Sequence, residues 1–156
     1  MTVCLIDTCI LCEMLGVPHM DSDAARVKEE LGRKLKAREV LMLPMTTILE
    51  TGNHIGQNGN GTQRRETALR FVEEVTKAIQ GTSPFTATSF VDRSRLLAWL
   101  IEFPEWALRN DARGKGSGLG DLTIYNEWRD LCEKFPRRRV YVWTNDAHLA
   151  ACDRSP

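Results

Sequence analysis

Four acidic residues stand where a cation could be held. Asp7 closes the apolar run Val3–Ile6, Glu50 lies in TTILETGN, Asp121 follows a glycine-rich stretch, and Asp146 comes just after Val140–Trp143. Carboxylates drawn together away from water repel one another and are costly to desolvate, so four of them converging calls for cations. Hard oxygen ligands select Mg²⁺ or Mn²⁺ over zinc. Each residue also has an ordinary reading: an Asp at the end of a strand or the start of a helix caps it, and a Glu on a helix is usually solvated. The metal reading belongs to the set.

Other residues offer chemistry less completely. Cys9-Ile-Leu-Cys12 is a CxxC opening a helix, the form of a redox pair or half a zinc site, but no second ligand pair accompanies it. Buried small side chains are therefore the expectation for both. His54 and His148 lie near Glu50 and Asp146 and could tune substrate protonation, although surface or packing roles are commoner. Gly114–Gly120 lacks the Lys-Ser/Thr ending of a P-loop and follows no convincing strand, so it reads as a mobile substrate-entry loop. Arg64, Arg65, Arg109, Arg113, Lys115 and Arg137 to Arg139 could track phosphates. Trp99, Phe103 and Trp106 could stack on unpaired bases, but packing under a long loop suits them better.

The elements that must position these residues follow from hydrophobic periodicity. Val3–Ile6 predicts a strand, with Asp7 and Thr8 able to cap a helix after it. Ala24, Val27, Leu31 and Leu35 predict a helix over about 21–38, and Val40–Leu43 a second strand. Pro44 suits a helix start, and Met45, Ile48, Leu49, Gly52, Ile55 and Gly56 describe one face of that helix. A loop at 58–61 precedes a helix over 63–79 with Ala68, Phe71, Val72, Val75 and Ile79 inward. A further helix is expected over 93–102. The cleanest stripe is Ile124, Tyr125, Trp128, Leu131, Cys132 and Phe135, which places Asp121 at the start of its helix. Val140–Trp143 reads as a buried strand, followed by a short last helix through Ala147, Leu149 and Ala150.

This alternation predicts an α/β fold, three layers with a central, mainly parallel sheet, in which ligands bind beyond the carboxyl ends of the strands. Asp7 and Asp146 would then meet at one sheet edge. With 156 residues, 42% of them hydrophobic, the chain suits a single domain over 1–156, elaborated by helix or loop at about 80–118. Lys plus Arg equals Asp plus Glu at 21 each, so no whole-molecule field draws it to polyanions. The apolar N-terminus is interrupted by Asp7 and Glu13 and lacks a basic start, which argues against a signal peptide or membrane span. Five unevenly spaced cysteines predict free thiols in a reducing, cytoplasmic compartment.

LIDTCIL at 5–11, the Glu of TTILETGN, the Asp of GLGDLTIYNE and TNDAHL at 144–149 resemble, in order and rough spacing, the acidic motifs of PIN-domain nucleases. The resemblance runs from Val3 to Leu149, while the stretch from about Gln80 to Gly118 and the lack of a clear final strand depart from a compact PIN domain. It implies a PIN-like fold in which Asp7, Glu50, Asp121 and Asp146 coordinate one or two Mg²⁺ or Mn²⁺ ions, with Thr8, Asn53, Thr144 and Asn145 as supporting candidates. The implied activity is metal-dependent endoribonuclease cleavage of RNA. Small stand-alone members resemble VapC-type toxins, which implies a toxin–antitoxin or defence setting, a cognate antitoxin and a homodimer. A structure-directed DNA nuclease and a catalytically silent PIN-like interaction module are the alternatives.

Overall fold

A computed structural model describes residues 1–156. The elements run β1 (Val3–Ile6), α1 (Thr8–Leu15), α2 (Ala24–Lys36), β2 (Val40–Leu43), α3 (Met45–Gln57), α4 (Gly61–Gln80), β3 (Phe85–Ala87), α5 (Arg93–Ala107), α6 (Leu119–Lys134), β4 (Val140–Trp143) and β5 (Asp153–Arg154). One mixed sheet has the order β3-β2-β1-β4-β5, parallel except where β5 runs against β4. No helix is long and apolar enough to cross a membrane.

Strand alternation divides the core. From β1, Cys4 and Ile6 face one layer with Leu41, Leu43, Tyr141 and Trp143, where residues of α1, α2, α3 and α4 pack. Val3 and Leu5 face the other with Val140 and Val142, against Trp106 of α5 and Leu122 and Ile124 of α6. All four residues of β1 are buried, as are all four of β4, the pattern of strands covered on both faces. Helices therefore lie on both sides of the sheet. Burial of each such Leu, Ile or Val contributes roughly 1.5–3 kcal/mol.

The sheet also differs from expectation in places with identifiable causes. Val72 and Ile79 are exposed, because α4 buries Val75 and Ala78, with Ala68 and Phe71 partly covered, and a residue one position past that stripe is turned about 100° away. Leu49 is exposed for the same reason beside Ile48 of α3. Residues after β4 form turns rather than the expected short helix: Leu149 N–H donates to Asp146 O and Cys152 N–H to Leu149 O. The chain must reverse there to lay β5 along β4, pairing Tyr141 with Asp153. The short strands β3 and β5 have too few residues to show a periodicity. The helix expected to end near Glu102 continues through Pro104 to Ala107, and Trp99 and Trp106 are buried, as packing residues should be.

Further along α6 lies a buried acid with a strong consequence. Glu127 is buried beside Thr88 and Arg95, and desolvation, only partly offset by those neighbours, pushes its carboxyl up to about 7. A raised carboxyl favours the folded state only while it is protonated, so its contribution is complete below about pH 4.5 and is lost as pH rises through about 7. Glu127→Gln should therefore leave urea-unfolding stability unchanged near pH 4 and raise it at pH 8, by up to about 3 kcal/mol. An equal effect at both pH values would contradict this assignment of the penalty.

Candidate metal centre

The strand order creates the site. From β1 the chain steps to β2 and β3 on one side and then crosses to β4 on the other, so the connections diverge between β1 and β4. A crevice opens at such a switch point, beyond the carboxyl ends of the strands. The β1–β4 register pairs Ile6 with Trp143, so the next residues on each strand, Asp7 and Thr144, are neighbours there.

Asp7 is 4% exposed and is held on both oxygens. Its Oδ1 accepts from the Thr8 backbone N–H at 2.7 Å, which makes it the N-cap of α1. Its Oδ2 accepts from the Thr144 hydroxyl at 2.5 Å and from the Cys9 thiol at 3.3 Å. Burial raises the Asp7 carboxyl above its ordinary range, the hydrogen bonds from Thr144, Cys9 and Thr8 oppose the rise, and Asp121 adds to it. Thr144 Oγ1 in turn accepts from the Asp146 N–H at 2.8 Å, and Asp146 Oδ1 accepts from the His148 N–H at 2.7 Å. A chain of turn hydrogen bonds thus ties the Asp146 segment to the Asp7 carboxylate.

Asp121 sits in the first turn of α6, where acids are favoured by the exposed N–H groups. Its Oδ2 accepts from the Ser117 hydroxyl and the Gly118 N–H, both at 3.3 Å. Burial and then the negative charge of Asp146 raise this carboxyl too, against the pull of Gly118 and Ser117. Glu50 arrives from α3, whose approach to the sheet is fixed by the Thr47 hydroxyl donating to Ile6 O at 2.8 Å and by the Thr46–Thr123 hydroxyl pair at 2.8 Å. The Thr8 hydroxyl donates to Glu50 Oε2 at 2.9 Å. Gly120 explains how Glu50 reaches α6: a Cβ there would clash with Oε1 of Glu50. The missing side chain is the space that this carboxylate fills.

All four acids line one cleft of about 560 Å³, together with Thr8, Cys9, Asn53, His54, Lys115 and His148. Oxygen donors of one sign around a polar crevice fit a hard divalent cation. The acids do not form a closed shell, however, since no three His, Cys, Asp or Glu groups lie close enough together to grip one ion.

Among the supporting candidates, Thr144 holds Asp7, Thr8 holds both Asp7 and Glu50, and Asn53 faces the cleft. Asn145 is not brought there. It is exposed, and its side-chain oxygen accepts from Arg26 of α2 at 2.9 Å. Two residues escaped the sequence reading. Cys9 is more than a packing residue: its thiol donates to Asp7 and accepts from the Asn145 N–H at 3.3 Å, with burial pushing it up to about 12. Ser117 is buried against Asp121. A serine four residues before an acid on a glycine-rich approach was the only signal for it.

Compared with known proteins, the chain matches no family model, no curated protein and no solved structure.

Proposed function

We propose that this chain is a divalent-cation-dependent endoribonuclease with a three-layer, PIN-like fold, in which Asp7, Glu50, Asp121 and Asp146 hold one or two Mg²⁺ or Mn²⁺ ions. The observation that carries the reading is the meeting of four acids, from the end of β1, the middle of α3, the start of α6 and the turn after β4, in one polar cleft. Capping and solvation do not account for that meeting, because caps and solvated acids need no common location.

When bound, such a cation supplies Lewis-acid polarisation of a phosphoryl oxygen and a lowered pKa for attacking water. The chain's residues do the rest. Asp7, fixed by Thr8 and Thr144, offers a carboxylate that needs little reorganisation, since its partners already favour the charged form. Asp121 comes from α6 and Glu50 from α3, and the Glu50 carboxylate lies against Gly120, the residue before Asp121. Cys9, with its thiol kept protonated, donates to Asp7 and acts as a support rather than a nucleophile. RNA is the proposed substrate. The setting that goes with it is a cytoplasmic toxin restrained by an antitoxin, or a defence nuclease, with homodimerisation through helical surfaces.

A catalytically silent interaction module is the second reading, favoured by the open arrangement of the acids and by the use of Asp121 as a helix cap. Calorimetric titration with Mn²⁺ separates the two. The nuclease reading expects saturable binding that strengthens as pH rises, because protons on the raised Asp7 and Asp121 carboxyls compete with the cation. Incubation with RNA and sequence-matched DNA in Mg²⁺, Mn²⁺ or EDTA should then give fragments from RNA alone, absent in EDTA. No Mn²⁺ binding at any pH would leave the interaction module; cutting of DNA instead would make the chain a DNA nuclease.

A further inference from the structure

The cleft is rich in acids, yet an RNA strand brings more negative charge into it, and the molecule as a whole carries no net charge to offset this. A local cation must orient the strand. The basic residues singled out in the sequence are largely committed elsewhere. The Arg109 guanidinium lies 4.1 Å from the centre of the Trp106 ring, Arg138 covers Phe135, Arg139 is paired with Asp153 and Arg64 donates to Gly59 O. Aromatic stacking does not provide the alternative, because Trp99 and Trp106 are buried and no Trp, Tyr or Phe lines the cleft.

Lys115 is different. It is the one Lys or Arg among the cleft-lining residues, it is exposed, and its ammonium enters none of the molecule's ion pairs. The segment that carries it is built rather than slack. Asn110 bridges to Gly116, and Asp111 accepts from the backbone N–H groups of Arg113 at 2.8 Å and Lys115 at 2.9 Å. Gly114 takes the left-handed conformation that turns the chain, with φ +75°. Ser117 N–H then donates to Arg109 O, closing the loop at its base. Across the cleft, Glu50, Asn53, His54 and Gln57 follow i, i+3, i+4, i+7 spacing, so α3 offers one polar stripe running outward from the acids.

We propose that Lys115, presented by the hairpin over the acid cleft, holds a phosphate of single-stranded RNA adjacent to the one that is hydrolysed. The proposal rests on the ribonuclease reading and identifies how that site takes its substrate: by backbone charge on one wall and polar side chains on the other. A lysine serves here as a mobile point charge for a phosphate that does not react, and such a contact lowers KM without changing kcat.

The test compares wild type with Lys115→Gln, Lys115→Arg and Arg113→Gln, the last on the same hairpin but outside the cleft lining. Cleavage of a single-stranded RNA is followed over a range of KCl, and anisotropy of a fluorescein-labelled copy is measured in EDTA. Lys115→Gln should raise KM about tenfold with kcat within about twofold, and should reduce the salt slope of both kcat/KM and binding by about 0.7, the loss of one phosphate contact on a single strand. Lys115→Arg should restore the slope, and Arg113→Gln should leave it unchanged. An unaltered slope in Lys115→Gln, or an equal loss in Arg113→Gln, overturns the proposal while wild-type cleavage keeps the ribonuclease reading intact. A wild type that neither binds nor cuts RNA overturns both. Equal melting temperatures confirm that a changed slope is not a folding effect.

Discussion

Asp7→Asn is expected to abolish metal-dependent cleavage while making the cation-free protein more stable at neutral pH. The loss of cleavage follows from removing a charged oxygen ligand from the centre of the cleft, and it should reach at least about a hundredfold, beyond the range seen for residues that merely support a ligand. The gain in stability has the opposite origin. Asp7 is 4% exposed, and burial together with Asp121 raises its carboxyl above the value it has in the unfolded chain. A raised carboxyl stabilises the fold only in its protonated form. That contribution is complete below the unfolded value and is lost as pH climbs through the folded one. An amide is neutral at every pH, so the variant should melt higher than wild type in EDTA at pH 7.5, and the difference should vanish near pH 3. Saturating Mn²⁺ should reverse the order, because only wild type gains binding energy from the ion. Differential scanning calorimetry in EDTA and in Mn²⁺ measures both effects. A variant destabilised in EDTA at all pH values would show that the capping hydrogen bonds, not the charge, dominate at Asp7.

Gly120→Ala should separate the site from the fold. Within a helix, alanine is more favourable than glycine by about 1 kcal/mol, so on propensity alone the substitution stabilises α6. The new Cβ, however, would clash with Glu50 Oε1, and the end of a flexible side chain is what must give way. Glu50 swings out of the cleft and loses its hydrogen bond from Thr8. The melting temperature is therefore expected to be unchanged or slightly raised, while Mn²⁺ affinity and RNA cleavage fall by about ten- to a hundredfold. Gly118→Ala is the control, since a Cβ at that position meets nothing within 4 Å. Full activity in Gly120→Ala would mean that Glu50 is not needed where the structure puts it. A large drop in melting temperature would mean that the close approach of α3 to α6, rather than the carboxylate, is what the glycine protects.

Both variants turn on features of different legibility. The strands β1, β2 and β4 and the helices α1, α2, α3, α4 and α6 could be read directly from the sequence, because an apolar run covered on both faces and a stripe repeating every three to four residues are local patterns. The same locality made Asp7 visible as a cap and Asp121 as an acid in a first helical turn. Which side of a helix is the buried side is not local to the same degree: Leu49, Val72 and Ile79 are as apolar as their buried neighbours, and only the rotation of α3 and α4 against the sheet exposes them. The fate of the last segment was hidden too, since its turn exists to reverse the chain onto β4 and no helix-forming preference records that demand.

Alternating strands and helices, with Asp7 and Asp121 at the starts of helices, follow from neighbours within a few positions, because strand burial, capping and helical periodicity are local. Only the tertiary structure decided that these acids share one cleft, because the order β3-β2-β1-β4-β5 puts the ends of β1 and β4 side by side at the switch point. It alone turned Asn145 away to Arg26, brought Cys9 onto Asp7, laid Glu50 against Gly120 and put Lys115 among the residues lining the cleft. Those relations join residues as far apart as Asp7 and Thr144, and contacts across such distances arise from packing and chain path, which no short stretch of sequence contains.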